Sequence, residues 1–204
     1  VMGFKPVAAG TYKSAKGELL NEDLETLRIA SQMAPGNINF CPYVLDMPVA
    51  PHLAAANKGI TLELDTIMQA LHKTQEHCDF VVIEGAGGFL IPLNEHENLG
   101  DFVQQIHLPI ILVVGMKLGC INHALLTQEA IQGRGLKLAG WVANSLLGEM
   151  SLLKENIDTL KLKINAPFLG HIPTLPKSLQ KANNNPYSIE ALDFAAQHLR
   201  IPNH

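Results

Sequence analysis

An α/β domain on a mostly parallel sheet is the fold class this chain predicts, on three observations. Short apolar, β-branched runs alternate with segments of helical periodicity along the chain. The connections between successive strands are too long for hairpins, as right-handed crossovers require. The run Phe80-Val81-Val82-Ile83 is apolar without alternation, the pattern of a strand covered on both faces. With 204 residues, the expectation is a single α/β domain over 1–204.

The elements follow in order. Val1 to Phe4 reads as a strand end, followed by Lys5-Pro6-Val7-Ala8-Ala9-Gly10 and then a polar loop to Leu20. Asn21-Glu22-Asp23 precedes Leu24, Leu27, Ala30 and Met33 at helical spacing, which puts Asp23 in a first turn where a carboxylate is favourable. Pro35 and Gly36 stop that helix. Phe40 to Pro51 reads as irregular, with three prolines, and leads into His52 to Ala56. Leu64, Ile67, Met68 and Leu71 mark one helix face between Leu62 and Glu76. The strand ending at Glu84 follows, then a helix over Leu99–Gln105 and a strand over Ile110–Val114. A helix over Ile121–Gln132 is stopped by Gly133 and Gly135. A strand over Leu138–Ala143, a helix over Met150–Leu162, a strand over Phe168–Ile172 and a closing helix over Ile189–Leu199 complete the chain. Asn183 to Pro186 reads as a loop.

The composition is 47% hydrophobic and 17% charged, which supplies a core and excludes a disordered chain. A net charge of -4 carries no footprint for nucleic acid, and no apolar run approaches membrane-spanning length. Cys41, Cys78 and Cys120 are odd in number and form no C-x-x-C, so reduced thiols in a cytoplasmic protein are expected.

In open parallel sheets ligands bind outside the carboxyl ends of the strands. Those ends read Lys5, Glu84-Gly85-Ala86-Gly87-Gly88, Gly115-Met116-Lys117-Leu118-Gly119, Asn144 and Pro173. A buried-strand carboxylate needs a cation or donors, and glycines admit close backbone approach. A lysine, carboxylates and Gly-rich backbone suit a phosphate and a divalent cation. Asp23 and Glu84 are the candidate magnesium ligands, and Lys5 the neutralising charge on a transferring phosphoryl group. His72, His77 and Cys78 lack a fourth ligand for zinc. His52, His123 and Lys117 are secondary candidates.

The segments Phe4 to Gly10, Glu84 to Gly88, Val113 to Ala124 and Gly140 to Asn144, in that order, resemble dethiobiotin synthetase. The resemblance runs from residue 1 to about residue 182. It implies a P-loop NTPase-like architecture and an ATP-dependent cyclo-ligase that converts 7,8-diaminononanoate and CO2 (bicarbonate) to dethiobiotin, through a carbamate and its phosphorylated form. By that resemblance Lys5 is catalytic, and Asp23 and Glu84 hold Mg2+. ATP is contacted by Asp23, Glu84, Gly85, Ala86, Gly87, Asn144, Ser145, Pro173, Thr174, Leu175 and Gln180. Substrate is contacted at Ala9, Thr11, Gly119, Cys120, Ile121 and Asn122, the last four across a homodimer interface. Gln180 departs from an acidic position of the family, and Ala9 from a serine that Thr11 would replace.

The family also opens with a strand and a G-x-x-x-x-x-G-K-T phosphate loop, and no Gly-Lys dipeptide occurs here. The expectation is therefore an N-terminally incomplete part of a longer enzyme. Two other readings stand beside the ligase. One is an amidating or ATP-switch protein with a deviant P-loop, such as cobyrinate synthase or a partitioning ATPase. The other is a non-catalytic nucleotide-binding fragment.

Overall fold

The computed structural model describes residues 1–14, 16–31, 40–146, 148, 150–181 and 185–201. Met33, Pro35 and Gly36, read as the end of a helix, and Asn183 and Asn184, read as loop, lie outside them. The chain divides into two compact units: Val1–Phe102 with Lys181–Ile189, and Val103–Gln180 with Glu190–His204.

In the first unit, β1 (Met2–Phe4) pairs in parallel with β6 (Val81–Ile83), Phe4 opposite Ile83. A second parallel pair joins β2 (Val7–Ala9) to β5 (Tyr43–Leu45). A short antiparallel pair joins β3 (Tyr12–Lys13) to β4 (Leu19–Leu20). The segment after the first strand, the polar loop to Leu20 and the stretch read as irregular thus contain four strands, and one connection is a hairpin after all. Each of these strands has only two or three residues, too few for a period to show. β2 and β5 take their order from each other, far apart along the chain, with Val7, Ala8 and Leu45 all 0% exposed, whereas β3 and β4 pair locally.

Asn21 caps α1 (Glu22–Ala30), whose first turn holds Glu22, Asp23 and Glu25, and Arg28 stands in its last. The helix lies close on β1, because a Cβ at Gly3 would meet Leu27 Cδ2 at 2.8 Å. Pro51 opens α2 (Pro51–Asn57) with its missing N–H where none is needed. In α3 (Leu64–Gln75) the buried face is Leu64, Ile67, Ala70, Leu71 and Thr74, the spacing of one helical stripe.

One expectation is corrected at β6. Phe80 is 54% and Val82 49% exposed, so that strand is not covered on both faces. Among the described residues β6 pairs only with β1, which leaves its other edge without a strand.

In the second unit β7 (Ile110–Gly115), β8 (Leu138–Asn144) and β9 (Phe168–Ile172) form a parallel sheet in the order β7-β8-β9. Trp141 in the central strand is 0% exposed and meets the Phe168 ring at 4.6 Å between centroids. Ile111 and Val113 on β7 are exposed.

Gly119, at φ +92°, turns the chain into α5 (Cys120–Gln132), which buries Cys120, Ala124, Gln128 and Ile131. Gln128 accepts the Asn165 N–H at 2.8 Å and so fixes the end of α6 (Leu153–Lys163). That helix starts three residues later than Met150, after Leu152 at φ +54°. Residues 99–106 form α4 and residues 189–196 form α7; the latter is shorter than the expected closing helix. Beyond it Leu199 bridges to Gly170.

Gly170 is required by two independent facts. Its φ is +147°, and an added Cβ would sit 2.0 Å from the His198 carbonyl oxygen. Gly170→Ala must move backbone, so a loss of about 1–3 kcal/mol in urea unfolding is expected.

Candidate functional site

The site in the first unit is built at the ends of β1 and β6. The stretch Met2–Ala8 is buried throughout, and Lys5, the residue after β1, is 2% exposed. The Glu84 N–H donates to the Phe4 carbonyl at 2.9 Å, extending the ladder one step and setting Glu84 beside Lys5. A buried ammonium is tolerated only if its donors find partners. Lys5 Nζ meets Asp23 Oδ2 at 2.9 Å, Glu84 Oε1 at 3.1 Å and the Gly85 carbonyl at 3.0 Å. An ammonium has three N–H groups, and there are three acceptors. The structure thus brings together Lys5, Asp23 and Glu84 from well-separated parts of the chain.

The two carboxylates open outward: the side chains of Asp23 and Glu84 are 43% and 47% exposed, against 3% for Lys5. Partial desolvation raises the Glu84 carboxyl above its ordinary pKa; Lys5 opposes this and Asp23 adds to it. A cation arriving at these oxygens would favour the ionised form. Among the described residues no group of three His, Cys, Asp or Glu side chains could hold a metal ion. A divalent cation at Asp23 and Glu84 therefore needs further oxygens from outside the chain, which is how magnesium is held when it binds with a phosphate ligand. The residues present fit that ion.

Past Glu84 the loop is open. Gly85, Gly87 and Gly88 are exposed, and Gly87 has φ +104°. A Cβ at Gly85 or Gly88 would meet no atom closer than 3.5 Å, so packing within the chain does not demand glycine there. Bare backbone facing solvent is suited to the close approach of a ligand. Ala86 is half-buried between them.

Ala9 and Thr11 lie at the end of β2, both half-buried. The Gly10 and Thr11 N–H groups donate to the Leu45 and Asp46 carbonyls at 2.8 and 3.0 Å. The Asn21 amide reaches this turn as well, donating to the Gly10 carbonyl at 2.6 Å. In the sequence Asn21 shows only as the residue immediately before an acidic helical turn. Beneath the site, burial pushes the Cys41 thiol up to about 11, so it stays protonated and is no nucleophile. All three cysteines are free.

In the second unit the carboxyl ends of the strands are in register: Gly115 lies opposite Asn144, and Asn144 opposite Ile172. The Asn144 carbonyl accepts the Met116 N–H at 2.8 Å, and the Ser145 N–H donates to the Ile172 carbonyl at 2.9 Å. The buried Ser145 hydroxyl lies 2.9 Å from His171 Nε2. Asn144, Pro173, Thr174 and Leu175 are half-buried, and the exposed Gln180 folds its amide back onto the Leu175 carbonyl at 2.9 Å. Gly119, Cys120, Ile121 and Asn122 form the cap and first turn of α5; Cys120 is buried and Asn122 exposed. Lys117 and His123 are exposed.

Comparison with known proteins adds the family. The family described as AAA domain matches residues 1–182. The ATP-dependent dethiobiotin synthetase BioD of Ralstonia nicotianae is 47% identical over 175 residues, 86% of this chain and 76% of that protein. The same enzyme of Cellvibrio japonicus is 41% identical over 98% of this chain and 82% of its own length. That of Vibrio parahaemolyticus is 38% identical over 94% and 83%. With identity at this level over most of both sequences, the chain belongs to the ATP-dependent dethiobiotin synthetase family.

Proposed function

We propose that this protein closes the ureido ring of dethiobiotin from 7,8-diaminononanoate and CO2 at the expense of ATP. Lys5, buried with three acceptors around its ammonium, is the observation that carries the reading. One substrate amine adds to CO2 and loses a proton, giving a carbamate. A carbamate oxygen displaces ADP from the γ-phosphoryl group. The second amine attacks the carbonyl carbon and expels phosphate, closing the ring. Negative charge collects on carbamate and phosphoryl oxygens in both later steps, and the Lys5 ammonium would stabilise it through its positive charge, or by exchanging one of its present acceptors for a substrate oxygen.

Asp23 and Glu84 would hold Mg2+, which supplies charge neutralisation at the phosphates. Their half-exposed oxygens support that role. The open glycine backbone from Gly85 to Gly87 would lie along the phosphates, with Ala86 between. Asn144 and Ser145, with backbone from Pro173 to Leu175, would contact the adenine, and Gln180 would border it. Ala9 and Thr11 would contact the diamine, with Thr11 supplying the hydroxyl that Ala9 lacks. The first turn of α5, Gly119 to Asn122, suits the substrate's distal carboxylate, since helix N-termini favour anions. The protein would act in the cytoplasm as a homodimer, and sedimentation at micromolar concentration tests the dimer.

Phosphate release that requires ATP, magnesium, bicarbonate and diaminononanoate together is the expected result. Nucleotide binding without turnover would favour the binding-only reading. Lys5→Ala is expected to lower kcat by about 10²-fold or more, and near-normal turnover would remove Lys5 from the chemistry. Glu84→Gln is expected to raise the magnesium needed for half-maximal activity more than it changes adenine-nucleotide affinity; an unchanged magnesium titration would refute the ligand assignment. Lys5 holds the Glu84 carboxyl down, so Lys5→Met should raise its pKa further, shifting its carboxyl carbon titration in NMR to higher pH.

A further inference from the structure

We propose that Asn21 is a positioning residue that couples the substrate turn at Ala9–Thr11 to the metal carboxylate of Asp23. The inference rests on the reading just given for those two parts of the site. Asn21 is 5% exposed, and both ends of its amide are used. Oδ1 accepts the Asp23 and Leu24 N–H groups, each at 3.1 Å. Nδ2 donates to the Gly10 carbonyl at 2.6 Å.

Capping alone does not account for this residue. Asp and Ser cap a helix about as well as Asn, and Asp interacts better with the helix dipole. Neither of them offers a donor as well as an acceptor in one planar group. The donor is what the Gly10 carbonyl takes. Gly10 is itself constrained: its φ is +93°, its N–H is held by Leu45, and a Cβ there would meet Pro48 Cβ at 3.1 Å. The turn that carries Ala9 and Thr11 is therefore anchored on β5 by one residue and on α1 by Asn21. At the other end of the same amide, Asp23 takes its backbone position from Oδ1 and directs its carboxylate onto Lys5 at 2.9 Å. A rigid amide spans the two. Displacement of the turn by a bound diamine is transmitted to the first turn of α1, and the converse holds by linkage.

Asn21→Asp separates this role from capping. It keeps the acceptor and places a carboxylate oxygen against the Gly10 carbonyl, where the two repel. Two readouts apply: calorimetric affinity for diaminononanoate in magnesium-free buffer, and the magnesium concentration for half-maximal phosphate release. Asn21→Asp is expected to weaken diamine binding about fivefold or more and raise the magnesium requirement about threefold or more. Asn21→Ser, a neutral cap too short to reach Gly10, is expected to move both in the same direction. Either variant with both values within about twofold of the parent overturns the proposal, as a capping role alone predicts. A change in diamine affinity without a change in magnesium requirement also overturns it, because the two ends are then not linked. Asp23→Asn serves as the control. If it leaves the magnesium titration unmoved, the metal reading itself is wrong. If it shifts the titration while the Asn21 variants do not, only the coupling fails.

Discussion

A single buried ammonium organises the first unit. Lys5 sits at the end of a strand that is buried from Met2 onward, where an unpaired charge would be strongly destabilising. Its three acceptors come from a helix start, a strand end and the loop after that strand. Each of those elements is therefore fixed relative to β1 by the need to satisfy one cation. The arrangement carries one positive and two negative charges, and the negative ones face solvent. That polarity suits a site which accepts a divalent cation first and phosphate oxygens with it.

The surrounding packing serves this arrangement. Gly3 lets Leu27 approach, so α1 lies close enough on β1 for Asp23 to reach Lys5. The parallel register of β1 and β6 ends with Phe4 opposite Ile83, which places Lys5 and Glu84 one step beyond on neighbouring strands. In the second unit the same logic aligns Gly115, Asn144 and Ile172 at one edge of the three-stranded sheet. There, too, the side chains with polar chemistry begin where the hydrogen-bonded ladder stops.

Much of this was legible in the sequence. The strands at Ile110–Gly115, Leu138–Asn144 and Phe168–Ile172 are long enough to show as apolar runs, and α3 and α5 show their buried stripes as spacing. Lys5 and Glu84 stand at strand ends in the sequence, and their convergence follows from the rule that parallel strands end together; Asp23 starts a helix, and its place beside them was implied by the family resemblance. The strands β2 to β5 were not legible. Three residues such as Val7–Ala9 have no period, and their state is decided by Tyr43–Leu45, far along the chain. The exposure of Val82 was likewise hidden, because a run of β-branched residues states preference for a strand and says nothing about what lies on its faces. Asn21 was missed for a different reason: a residue that bonds two backbones leaves only a cap signal in the sequence, and the second bond is tertiary.

The saturation of the Lys5 ammonium bears on reagent selectivity. An enzyme that used carbon dioxide, as proposed above, would expose its own amines to the electrophile meant for its substrate. Nitrogen attacks that carbon only through a lone pair. At Lys5 all three protons are engaged and the side chain is 3% exposed, so no lone pair is presented. The same interactions that aim its charge would also shield this lysine from carbamylation, and would leave the diamine as the nucleophile of the proposed reaction.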